Sequence, residues 1–131
     1  MERTENRPAL RRLPDAELDV MQALWDCEIP AERGALEGKL LGRHPMAPTT
    51  LLTLLGRLAE KGWVKIEKRG RLSVYTPLIS RKDYLASESR SFVDKLCGGS
   101  VSELAAALSG GGLTKDELKE LRALLERMEE T

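Results

Sequence analysis

The sequence predicts a mainly α fold with one small β-hairpin: a winged helix-turn-helix followed by a C-terminal region of three helices. Three observations carry this expectation. Apolar residues recur at helical spacing in three successive segments ahead of Gly62. The period then changes to two over residues 63–68 and 72–76, the pattern of paired strands. Beyond Pro77, three capping-box spacings mark three further helix starts.

Residues 1–12 have no periodicity and are expected to form a flexible arm. Leu13-Pro14 opens the first helix, with Pro14 at the first helical position, where its missing N–H leaves no donor unpaired, and Asp15 and Glu17 at the positive helix end. Leu18, Met21, Leu24 and Trp25 give this helix one apolar face, which runs to about Cys27 before Ile29-Pro30 breaks it. A second, shorter helix is expected over 32–41, with Leu36, Leu40 and Leu41. Gly34 and Gly38 inside it cost roughly 1 kcal/mol each against Ala. Residues 42–45 form a turn, and Pro48 begins a third helix that runs to Lys61 and stops at Gly62. Arg69-Gly70-Arg71 joins the two strands, which gives the hairpin a basic tip. Ser80 with Asp83, Ser100 with Glu103 and Thr114 with Glu117 start helices over 80–97, 100–108 and 114–129, separated by glycines. The expected organisation is an arm over 1–12, a winged helix over 13–79 and a helical dimerisation region over 80–131.

Composition excludes several classes of function. At 131 residues, 41% apolar and 32% charged, the chain is globular and sized for one small domain with an oligomerising region. No apolar run approaches the roughly 18 residues of a membrane span, and the charged N-terminus lacks a secretory signal, so membrane insertion is not expected and the expected location is cytoplasmic. Cys27 and Cys97 stand far apart, as reduced thiols do. His44 is the only histidine, and no phosphate loop or nucleophile elbow is present, so no catalytic residue is assigned. Cys27, His44 and Cys97 are too scattered for a metal site, and no cofactor is expected.

The zero net charge conceals a basic strip. From Arg57 to Lys82 there are eight Lys/Arg against two Glu, which marks one face for a polyanion. On the third helix, Leu51, Leu54, Leu55 and Leu58 form a buried stripe. The opposite face is Thr49, Thr53, Gly56 and Glu60, flanked by Thr50 and Arg57. Hydroxyls can bond phosphates or base edges, Thr methyls can meet the thymine methyl, and Arg can grip guanine with two hydrogen bonds. Gly56 weakens the helix but lets its backbone approach a groove wall. Thr49, Thr50, Thr53 and Arg57 are therefore the expected base-reading residues, with Lys68, Arg69 and Arg71 of the wing on the phosphate backbone.

The last 50 or so residues are poor in apolar volume. Leu85, Phe92 and Leu96, then Leu104, then Leu118, Leu121, Leu125 and Met128 form narrow stripes that suit helix packing against a second copy. Two rival readings stay open: a winged helix that binds an acidic protein partner, and a regulator gated by a ligand or by oxidation of Cys97.

These residues resemble the penicillinase-repressor family. The resemblance runs through Leu13-Pro14-Asp15-Ala16-Glu17-Leu18 with Leu24-Trp25, Ala47-Pro48-Thr49-Thr50-Leu51 onward to Glu60-Lys61-Gly62, Arg69-Gly70-Arg71 with Tyr75-Thr76-Pro77, and Ser91-Phe92-Val93-Asp94-Lys95-Leu96 with Gly98-Gly99. It implies a dimeric repressor that binds a palindromic promoter operator in double-stranded DNA. In the family's antibiotic-resistance members a membrane sensor-protease acts as inducer, and the repressor is cleaved between Asn and Phe. Ala107-Leu108 occupies that position here, so the family's scissile pair is missing. The cysteine cluster of copper-responsive relatives is also missing, since Cys97 is the only cysteine in its half.

Overall fold

The computed structural model describes residues 10–130, so most of the arm expected over 1–12 lies outside the described residues. The helices are α1 (Asp15–Trp25), α2 (Arg33–Leu41), α3 (Pro48–Glu60), α4 (Arg81–Leu96), α5 (Val101–Ala107) and α6 (Lys115–Glu129); the strands are β1 (Ala31–Glu32), β2 (Val64–Arg69) and β3 (Leu72–Pro77). The chain divides into two compact units, one up to Ser87 and the other from Glu88 onward. The architecture is mainly helical with a small sheet, and the order α1-β1-α2-α3-β2-β3 in the first unit is that of a winged helix.

The first unit is built around the apolar faces of its three helices. Val20, Met21 and Leu24 of α1 meet Leu36 and Leu40 of α2 and Leu51, Leu55 and Leu58 of α3 in one buried cluster, closed by Trp63, Val64 and Tyr75. Each such leucine contributes about 1.5–3 kcal/mol on removal from water. Tyr84 of α4 belongs to the same cluster: its ring meets Trp63 edge-on at 5.1 Å, and its hydroxyl accepts the Leu13 N–H at 3.0 Å.

The sheet corrects the expected lone hairpin. β1 pairs antiparallel with β3, Ala31 opposite Tyr75 and Glu32 opposite Val74, so the strand order is β1-β3-β2. Helix α2 consequently begins at Arg33 rather than at residue 32, because Glu32 is already committed to the ladder. The hairpin register runs from Val64 opposite Pro77 to Arg69 opposite Leu72, and the turn is Gly70-Arg71 alone. Gly70 has φ +64°, a conformation that glycine adopts without steric cost.

Helix ends follow local chemistry with one shift. Pro14, at φ −56° and ψ 152°, is the N-cap of α1 and not its first helical residue; its carbonyl accepts from Leu18 N–H at 2.9 Å. At the end of α3, Trp63 N–H reaches the Leu58 carbonyl and Gly62 N–H the Ala59 carbonyl, a Schellman motif with Gly62 at φ +84°. This closure turns the chain directly into β2.

In the second unit, Ser100 caps α5 through Glu103 N–H at 3.2 Å, and Thr114 and Glu117 form a reciprocal capping box on α6. Between them, Leu108–Gly112 forms one π-helical turn. Val93 and Cys97 are the only buried apolar side chains among the described residues of this unit.

Candidate nucleic-acid interface

Helix α3 is anchored by its stripe. Leu51, Leu54, Leu55 and Leu58 are buried, which leaves Thr49, Thr50, Leu52, Thr53 and Arg57 exposed. Thr53 Oγ1 donates to the Thr49 carbonyl at 3.0 Å. Its hydroxyl proton is thus engaged within the helix, and what it offers outward is a methyl group and an acceptor oxygen. A Cβ added at Gly56 would meet nothing within 4 Å, so nothing in the protein's own packing requires glycine there.

Helix α3 has an anchor that the sequence pattern did not disclose. Glu17 of α1 is only 3% exposed, and its carboxylate pairs with the ammonium of Lys61, the C-cap residue of α3. Glu17 was expected only as an acid at the positive helix end; it is also the one buried charge among the described residues, 44 positions from its partner. A buried carboxylate needs such a partner, and the pair ties the start of α1 to the end of α3. A sequence clue would have been its i+3/i+4 place beside Val20 and Met21 on the buried face of α1.

Seven of the eight cations of the basic strip, all but Lys82, divide into two groups. Lys61 is held by Glu17, Lys65 lies 3.4 Å from Glu67, and Arg81 bonds Asp26 at 2.9 Å while its guanidinium sits 5.6 Å from the Trp25 ring. By contrast, Arg57 on α3 and Lys68, Arg69 and Arg71 on the hairpin are exposed and form no ion pair among the described residues. Helix α3 packs against β2, so the sheet that carries the wing is seated on the helix that carries Arg57. Unpaired, hydrated cations of this kind are available to a polyanion without first breaking an internal bridge.

Two pKa shifts lie away from this face. Hydrogen bonding and charge from Arg81, aided by Arg43, hold the Asp26 carboxyl below its ordinary range. Burial pushes the Cys27 thiol up. Among the described residues, no group of three or more His, Cys, Asp or Glu could hold a metal ion, and no helix is long and apolar enough to cross a membrane.

The residues expected to pair two copies are mostly open. Leu85, Phe92, Leu96, Leu125 and Met128 are exposed, and Leu104, Leu118 and Leu121 are half-buried. Ala107 is the last residue of α5 and exposed, and Leu108 opens the π turn. Cys97 is buried and unbridged.

Fold and face together define a winged-helix module with a polar helix surface and exposed cations beside it. The model of the penicillinase repressor family matches residues 13–127, and the chain belongs to that family. The penicillinase repressor of Bacillus licheniformis is 32% identical over 116 residues, covering 88% of this chain and 90% of that one. The methicillin resistance regulatory protein MecI of Staphylococcus aureus (strain N315) is 26% identical, over 88% of this chain and 94% of its own. Among solved structures, the monomeric form of Bacillus licheniformis BlaI in complex with the blaP half-operator is 35% identical with a TM-score of 0.47, covering 56% of this chain and 89% of that one.

Proposed function

We propose that this chain is a transcriptional repressor that occupies operator DNA as a homodimer in the cytoplasm. The observation that carries the reading is the exposed face of α3, hydroxyls and one arginine, adjoining a wing whose three cations have no ion-pair partner among the described residues. Family membership supports it: the relatives that match most of the chain are a penicillinase repressor and methicillin resistance regulators. Thr49, Thr50, Thr53 and Arg57 read base edges in the major groove, with Thr53 acting through its methyl and acceptor oxygen. Lys68, Arg69 and Arg71 grip phosphates and set the register.

Dimerisation through the second unit completes the reading. Phe92, Leu96 and Leu125 expose 44%, 74% and 52% of their surface, apolar area that a second copy would remove from water. A two-fold dimer presents two reading heads to a palindromic site. Release by cleavage at Ala107-Leu108 is not part of the proposal, because that pair is chemically unlike the Asn-Phe bond of the resistance members.

Titration of the full chain against its own upstream promoter DNA and a scrambled duplex, at two salt concentrations, tests this reading. The expected result is two protomers per site and much tighter binding to the promoter. Equal, weak, salt-labile binding to both duplexes would replace the repressor with a module that binds an acidic partner.

A further inference from the structure

Leu52 has no role in the fold and none in the reading above. It lies on α3, is 43% exposed, and is absent from the side chains packed on the core. Single exposed leucines are ordinary on protein surfaces. This one occupies the row Thr49, Leu52, Gly56, three and four residues apart on one side of the reading helix, with Thr53 beside it. Leucine would be a poor choice for water or phosphate at such a place. The apolar patch is one side chain wide, between a hydroxyl and a glycine, which is too small for a protein–protein hot spot.

The major groove has one apolar group at its base edges, the C5-methyl of thymine. We infer that Leu52 reads a thymine methyl in each half of the operator, and so makes an A·T pair at that position a determinant of specificity. The inference rests on the proposed DNA reading and adds to it a base and a residue. The engaged proton of Thr53 strengthens it, because the centre of the helix face then presents hydrocarbon and acceptor oxygen, not donors. Gly56, where an added Cβ would meet nothing, leaves the next turn of the helix open for close approach.

The test uses the full chain and a duplex that it enriches from a random-sequence pool. Each thymine of that duplex is replaced singly by deoxyuridine, which removes only the methyl, and affinities are measured for the parent protein and for Leu52→Ala. The expected result is one position per half-site where the parent loses about fourfold, the effect of one hydrocarbon group left in contact with water, while Leu52→Ala loses nothing further. Loss at no position, or equal loss in both proteins at every sensitive position, overturns the inference and leaves the repressor reading intact. A pool from which no duplex is enriched overturns both. An unchanged melting temperature for Leu52→Ala shows that the comparison reports binding and not folding.

Discussion

The two units differ in how they satisfy their apolar residues. In the unit up to Ser87, three helices and a sheet enclose one cluster in which Val20, Met21, Leu24, Leu36 and Leu58 have no exposed surface. From Glu88 onward the end of α4 is followed by two capped helices, but only Val93 and Cys97 are buried among the described residues. Capping and propensity can define where a helix begins, yet they contribute only about 1 kcal/mol per cap. Tertiary burial supplies most helical stability in proteins. The first unit therefore encloses a core of its own, whereas the second leaves most of its apolar side chains exposed. Under the proposed function, the enclosed core suits a reading head and the exposed apolar side chains suit a pairing arm.

Substitutions that strike one unit and spare the other break this comparison. The largest effect is expected at Leu55, 1% exposed beneath the reading face. Leu55→Ala should cost about 2–5 kcal/mol in denaturant unfolding through the cavity that it leaves. Next is Arg57→Ala, which should cost roughly 1–3 kcal/mol on the preferred duplex and relax base choice without affecting stability. Arg69→Ala, at the wing, should weaken every sequence alike and lower the salt slope by about one unit. Equal losses for Arg57→Ala on operator and random DNA would refute the separation of reading from gripping.

Phe92→Ala addresses the other unit. It should leave the first unit folded while weakening self-association about tenfold, or about 1.4 kcal/mol, seen as a dissociation constant raised about tenfold in sedimentation equilibrium. The smallest effect is at Gly56. Gly56→Ala should stabilise the free protein by up to about 1 kcal/mol, since the added methyl meets nothing and the helix gains propensity. The same methyl should weaken DNA binding if the backbone approaches the groove wall. A variant that gains stability and keeps full affinity would remove that role from Gly56.

Much of the fold was legible because its signals are local. The leucine stripe of α3, the Gly62 stop and the caps at Ser80, Ser100 and Thr114 each fit within a few residues, and each has matching hydrogen bonds or buried side chains. What escaped is long-range. Strand β1 is two residues long, too short to show a period, and exists only because Tyr75 and Val74 lie alongside it. Glu17 looked like a helix-end acid because its partner Lys61 comes 44 residues later. In the candidate site, the exposed cations were visible as a strip, but which of them are already spent on Glu17, Glu67 or Asp26 depends on tertiary packing. Leu52, exposed and off the stripe, carries no pattern of its own in the sequence.

Sedimentation equilibrium of the full chain at micromolar concentration tests the contrast between the units most directly. A dimer that dissociates only on dilution, with helical content falling as it does so, is the predicted result. A well-folded monomer across that range would contradict it, and would mean that the second unit buries its apolar face without a second copy.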